Sequence, residues 1–323
     1  SAGTRIQKAF VVQIGSISIP LLIVFAIIGT LILVECCRRV VGMPIICVAA
    51  VFVLYAFLGA GKDLKTVMYN LFYTTTGILG TPIGVCSTYI ALFVIFGAFL
   101  KHSGFSKFIN DFSLTLVGQT PGGPAKVAVI ASALMGMING SAIANVATTG
   151  TITIPLMKRT GYKKEFAGAV EAVASTGGQF CPPIMGAVGF VMAEFLGLSY
   201  TYVMLAAIVP AFLYYLGLLL SVHFEAMRLG LSGLSKENIP DAMKVIKEQG
   251  HLVIPLVLLI ALMFMGYTPL YSAVISIFAT VAASWLRKET RMTPQKILDA
   301  VIEGSKGAIS VGVCCVIIGI IIG

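Results

Sequence analysis

The sequence predicts an all-α polytopic membrane protein, and three observations carry that prediction. Of its 323 residues, 58% are hydrophobic and only 11% charged, with a mean hydropathy of +0.99, far from the balance of a soluble domain. Apolar runs of about twenty residues, the length at which a helix crosses a hydrocarbon core, follow one another along the chain. The 22 Lys and Arg, against 13 Asp and Glu, gather in the short segments between those runs, as cytoplasmic loops do. The net charge of +9 therefore reads as membrane topology, and no nucleic-acid partner is expected.

The first apolar run covers residues 9–35 and ends at Glu35-Cys36-Cys37-Arg38-Arg39; a second covers 41–60. Between Gly61 and Gly80, Leu64, Val67, Met68, Leu71 and Phe72 recur at helical spacing. That pattern predicts an amphipathic helix on the outer interface over 62–81, anchored by Tyr69 and Tyr73. A third span, 82–100, returns to a loop with Lys101 and Lys107 that closes at Pro121-Gly122-Gly123-Pro124. Beyond the central region come a span over 199–222, a polar loop over 225–250, spans over 251–266 and 269–286, and a further apolar element after Lys306. The expected organisation is thus 1–61 as membrane helices, 62–81 as an interfacial arm, 82–306 as the main membrane body and 307–323 as the start of another element. The chain begins at Ser1 and stops at Gly323 inside an apolar run, so a piece of a longer protein is expected. No cleavable signal peptide is evident.

The chain is organised around the stretch from Lys126 to Gly186, which is apolar but twice interrupted by small and polar residues. A helix from Lys126 to Gly140 rises only about 21 Å, and the limb from Asn145 to Met157 is equally short, against a core of about 30 Å. Lys126 lies at one end and Lys158, Arg159, Lys163 and Lys164 at the other. A re-entrant hairpin over 126–157 is the economical reading, its tip the seven residues from Asn139 to Asn145. Treating it so places every later basic loop on one side of the membrane; a single crossing would invert them all.

The second interruption, Ser175-Thr176-Gly177-Gly178-Gln179-Phe180-Cys181-Pro182-Pro183, predicts a broken helix over 165–196. The glycines end one half and the proline pair starts the next. Unwound backbone at such depth survives only where protein or a cavity surrounds it. Two C-terminal helix ends, near Gly140 and Gly177, would offer carbonyls suited to a hard cation such as sodium. Two N-terminal ends, near Asn145 and Pro182, would offer N–H groups to an anion.

Ser141, Asn145, Thr148, Thr149, Ser175, Thr176 and Gln179 are the polar groups at these interruptions, read either as helix caps or as ligands. Glu171 lies one turn before the second break and either aids cation binding or pairs with a lysine near the cytoplasmic face. The seven cysteines and three histidines show no metal-ligand spacing, and neither a cofactor nor a disulfide framework is expected. Ser141 as an enzyme nucleophile would need a general base within reach, and His102, His223 and His251 stand near span ends.

The run GSAIANVATTGTITIPLMKRTGY and the following EFAGAVEAVASTGGQFCPPIMGAVGFVMAEFLG resemble the large membrane subunit of tripartite ATP-independent periplasmic (TRAP) transporters. ECCRRVVG, TTTGILGTPIGV, FVIFGAFL and GGPAKVAVIASALMG fit the TAXI branch, whose small and large membrane subunits are fused. The resemblance implies an elevator-type secondary transporter, ion-transporter-superfamily-like, in a bacterial or archaeal cytoplasmic membrane. It would import small organic acids with sodium as coupling ion, fed by a TAXI-type periplasmic binding protein. Gly140, Ser141, Asn145, Ser175, Thr176 and Gly178 would line the sodium site, and Thr148, Thr149, Gln179 and Pro182 would face the anion. The family's second, inverted half is absent from this length. Rival readings are a binding-protein-independent dicarboxylate or citrate carrier, a channel and an intramembrane hydrolase.

Overall fold

The computed structural model describes residues 11–14 and 17–322. These divide into two compact units: one takes the residues up to Thr88 together with Ile309 onward, the other Tyr89–Ala308.

In the first unit, β1 (Val11–Ile14) and β2 (Ile17–Pro20) form an antiparallel ribbon with Val11 opposite Pro20. Of the run expected from residue 9, residues 11–14 and 17–20 are strand, residues 9–10 and 15–16 lie outside the described residues, and helix begins after Pro20, which donates no N–H and suits a helix start better than an interior. Helix α1 (Leu21–Val40) then runs past the end of the apolar run at 35, and in its last turns Glu35 pairs with Arg38 and Arg39 at 2.7 and 2.8 Å. Helix α2 is Met43–Leu58. The interfacial helix is shorter than its sequence pattern, spanning only Leu64–Tyr73 as α3. Val67 and Leu71 are its buried face and Tyr69 and Tyr73 its exposed one, with the Tyr73 hydroxyl donating to the Leu22 carbonyl at 2.8 Å. Cys37, Ala49, Val67, Leu71 and Ile317 share this unit's core.

The chain passes between the units within α4 (Thr81–His102), which carries a π-helical turn at Cys86–Ile90, and again within the last helix. Residues 101–121, read as a loop, are largely a helix, α5 (Phe105–Val117). Phe105, Phe108 and Ile109 recur at i, i+3 and i+4 and are buried, a short amphipathic face that Lys107 and Asp111 mask in a search for membrane spans. The central region supplies α6 (Gly123–Asn139), α7 (Ala142–Arg159), α8 (Lys164–Gly177) and α9 (Gly186–Leu196).

Helix α10 (Tyr200–Leu229) is 30 residues long, about 45 Å, and overruns the expected span. A short helix, α11 (Ala242–Gln249), lies within the polar loop. Helices α12 (Ile254–Phe264) and α13 (Pro269–Ser284) turn through Gly266 at φ 89°. The last helix, α14 (Pro294–Ile322), begins thirteen residues before the apolar run expected from residue 307. Its polar first turns carry Glu303, which binds Lys101 and His102 of α4 at 2.6 and 2.8 Å.

Among the described residues, five helices are long and apolar enough to cross a membrane: Leu21–Val40, Thr81–His102, Tyr200–Leu229, Ala242–Phe264 and Pro294–Ile322. Neither α6 nor α7 is one of them.

Candidate functional site

Helices α6 and α7 are a helical hairpin. Pro124 stands in the first turn of α6, where its missing N–H goes unneeded. Ala125, Ala128, Ser132 and Gly136 give α6 a buried face of small side chains that lets neighbouring helices approach closely. With 17 and 18 residues the limbs rise about 25 and 27 Å, short of a full crossing. The tip is tighter than the seven residues expected. Gly140 ends α6 in the left-handed region at φ 59°, and the Ser141 hydroxyl caps α7 by accepting from the Ala144 N–H at 3.4 Å. Asn145 does not mark the start of α7; it is already helical, its N–H bonded to the Ser141 carbonyl at 2.9 Å.

The second break also differs in detail. Helix α8 ends at Gly177 as expected, followed by a 3₁₀ turn at Gly178–Phe180. The proline pair does not start the next half. Pro182 and Pro183 are joined by a cis peptide inside the linker, and α9 begins at Gly186, after Met185 at φ 57°. Tyr200 of α10 holds this linker: its buried hydroxyl lies 2.8 Å from the Pro183 carbonyl and 2.6 Å from that of Ile184.

The two interruptions meet. A Cβ added to Gly136 would stand 2.5 Å from the Gly178 Cα, and one added to Gly186 would stand 2.6 Å from the Gly140 carbonyl oxygen. The Ile184 N–H donates to the Met137 carbonyl at 3.3 Å. Both crossings are backbone on backbone, which only glycine permits.

Beside the crossings lies a buried polar cluster. Glu171 is wholly buried and accepts from Ser132 Oγ at 2.8 Å, Thr153 Oγ1 at 2.5 Å, Ser175 Oγ at 3.4 Å and Thr149 Oγ1. Three helices thus converge on one carboxylate, and the lysine considered as its partner is absent from it. Asn145, also wholly buried, donates from Nδ2 to the Ser132 carbonyl at 2.7 Å and leaves Oδ1 without a partner.

Of the residues singled out in the sequence, Asn145, Thr149 and Ser175 are therefore in this cluster, with Thr149 turned to Glu171 instead of to an open space. Gly140 and Gly178 form the backbone crossings. Ser141 is a half-buried cap; Thr148 and Thr176 bond carbonyls of their own helices, at 2.8 Å each. Pro182 is half-buried in the linker. Gln179 is exposed and lines an apolar cavity of about 320 Å³ with Phe180, Met185 and Tyr202. Sequence reasoning missed Ser132, Gly136, Thr153, Gly186 and Tyr200. The spacing of Asn145, Thr149 and Thr153 at i, i+4 and i+8 was the signal for one polar stripe facing Glu171 and Ser175, themselves four apart.

Residues 28–323 match the family described as tripartite ATP-independent periplasmic transporter, DctM component. This chain belongs to that family. It is accordingly a multi-pass protein of the inner membrane. The DctM-family chain is 28% identical over 196 residues to a putative TRAP transporter large permease protein of Haemophilus influenzae, covering 60% of this chain and 46% of that one. It is 27% identical over 242 residues to the C4-dicarboxylate TRAP transporter large permease protein DctM of Vibrio cholerae (73% and 51%). A sialic acid TRAP transporter large permease protein of the same species is 27% identical over 238 residues (73% and 53%). The chain spans about half the length of these relatives.

Tyr200 gives this DctM-family chain a measurable anchor. Tyr200→Phe leaves the linker carbonyls without their buried donor, an expected loss of about 1–3 kcal/mol. A lowered melting temperature checks it, and an unchanged one places the donor elsewhere.

Proposed function

We propose that the chain forms the first half of a sodium-coupled importer of small organic anions, fed by a periplasmic binding protein. The observation that carries this reading is the meeting of two helix interruptions beside Asn145, whose buried Oδ1 has no partner among the described residues. An orphaned acceptor of that kind costs about 1–3 kcal/mol, and a sodium ion would remove the cost.

On this reading the hairpin is re-entrant, entering and leaving on the cytoplasmic side. Sodium lies among Asn145, Ser141, Thr176 and the backbone of Gly140, Ser175 and Gly178. The anion sits toward Thr148, Gln179 and Pro182, near the N-terminal ends of α7 and α9, whose N–H groups favour negative charge. Thr149 serves the Glu171 cluster. An anion entering a low-dielectric site needs compensation, which bound sodium supplies, so each ligand favours the other's binding. The site then crosses by an elevator movement. The relatives named for C4-dicarboxylate and sialic acid both handle carboxylates, which supports the organic-acid class here. The flanking motifs support a fused, TAXI-type arrangement with a TAXI-type binding protein as partner.

The test is uptake by the complete permease in proteoliposomes, with candidate acids, its binding protein and a sodium gradient. Sodium-dependent uptake that needs the binding protein is expected; uptake without it would make the chain an independent carrier, and sodium flux without substrate would make it a channel. Ser141→Ala and Thr176→Ala are each expected to weaken the sodium dependence several-fold, because each removes one oxygen of several. Wild-type dependence in both would remove the hydroxyls from the site.

A further inference from the structure

We propose that Glu171 is the counter-charge of the cation site, a positioning residue whose carboxylate holds sodium at the helix breaks without touching it. This deepens the sodium reading above and rests on it.

Glu171 is the one charged side chain among the described buried residues. Its four hydrogen-bond partners are hydroxyls, neutral groups that solvate a carboxylate but leave its charge unbalanced. The basic residues of the surrounding helices are placed elsewhere. Lys126 bonds the Thr120 hydroxyl at 3.2 Å; Lys158 and Arg159 are exposed at the end of α7, and Lys164 at the start of α8; Arg228 pairs with Glu225 at 2.7 Å. A buried charge without a partner is strongly unfavourable, and more so with lipid around the protein. A proton on the carboxylate would remove that cost, and so would a cation held beside it.

The cluster places that positive charge. Ser132, which donates to Glu171, also holds Asn145, its backbone carbonyl accepting from Asn145 Nδ2 at 2.7 Å; the Asn145 backbone carbonyl lies 2.9 Å from the Thr149 hydroxyl, whose one proton serves Glu171. Ser175 links Glu171 to the second break. Glu171 and Asn145 thus share Ser132 and Thr149 as neighbours. The hydroxyls approach the carboxylate directly, one at 2.5 Å and one at 2.8 Å, so its oxygens are already engaged by protein donors. From Gly123 to Gly186 the sequence holds one other acid, Glu165, exposed and 3.9 Å from Lys164. Every oxygen proposed to ligate sodium is neutral. Glu171 supplies the negative charge that those ligands lack, and it acts through space.

The experiment compares Glu171→Gln with Glu171→Asp in the complete permease. Gln keeps the shape and the hydrogen bonding: its oxygen faces Ser132, Thr149 and Ser175, and its amide faces Thr153, whose hydroxyl turns to the Thr149 carbonyl 3.0 Å away. Two quantities are read: half-saturating sodium for uptake, and the rise in melting temperature on adding sodium without substrate. Loss of the charge is expected to raise half-saturating sodium about tenfold or more, with uptake at saturating sodium nearly kept. Glu171→Asp, which keeps the charge, is expected to recover most of that affinity. Sodium dependence in Glu171→Gln equal to wild type, where wild type is sodium-dependent, overturns the proposal and leaves the transport reading standing. Absence of sodium dependence in wild type overturns both. If Glu171→Gln does not fold, Thr153→Val decides: it removes a donor and keeps the charge, so unchanged half-saturating sodium supports the proposal, and a rise as large as that expected of Gln makes Glu171 a hydrogen-bonding scaffold only.

Discussion

Gly178→Ala is expected to abolish sodium-dependent uptake and to lower the melting temperature of the purified permease. The added methyl would run into Gly136 of α6, meeting its Cα, its carbonyl carbon at 2.9 Å and its oxygen at 3.2 Å. These are backbone atoms of a helix buried on its small-residue face, so no rotamer change relieves the clash. Either the 3₁₀ turn or the hairpin must shift. Overpacking of this kind costs about 1–3 kcal/mol even where side chains can adjust, and the displacement falls on the place where the two interruptions meet. Gly168→Ala is the control. Gly168 lies in α8 with open space around its Cβ position, so alanine there is expected to be neutral, or stabilising by up to about 1 kcal/mol through helix propensity. Equal effects at the two positions would mean that the crossing of Gly136 and Gly178 is not what holds the site together.

The contrast between those two glycines also shows what the sequence could and could not tell. Gly177 and Gly178 together announced a helix end, because consecutive glycines beside a proline pair are hard to place anywhere else in an apolar span. The hairpin was legible for a similar reason: its limbs are too short to cross, and both ends are basic. What failed was the placing of boundaries where a side chain or a distant partner decides. Asn145 is as good a cap on paper as Ser141, and only the Ser141 hydroxyl on the Ala144 N–H settles which residue starts α7. The proline pair is a sound helix start by local rules, yet Tyr200, from a different helix, fixes the linker carbonyls and delays α9 to Gly186. Helix α5 and the first turns of α14 were lost because their polar residues defeat a search for spans. Glu171 was visible as an oddity in an apolar helix. Its hydroxyl cradle draws on Ser132, 39 residues earlier, a pairing that no local pattern carries.

Asn145→Leu is the second substitution with a large expected effect, and its physics separates a ligand from a structural amide. The orientation of the Asn145 side chain is set by the Ser132 carbonyl, 2.7 Å from Nδ2. Rotating the amide would bring two acceptors together, so the oxygen is the atom left unpaired. If that oxygen serves only packing, leucine removes one hydrogen bond and one unsatisfied acceptor of similar cost, and the protein should change little in any buffer. If it ligates sodium, stability without sodium should still change little, because the site is then empty in both proteins. Sodium should separate them. Wild type gains RT ln(1 + [Na⁺]/Kd) of stability, so its melting temperature climbs with sodium while that of Asn145→Leu stays flat, and sodium-dependent uptake is lost. A parallel climb in both proteins would show that the orphaned oxygen is not a ligand, and the two helix breaks would then have to bind their cation, if they bind one, through backbone and hydroxyl oxygens alone.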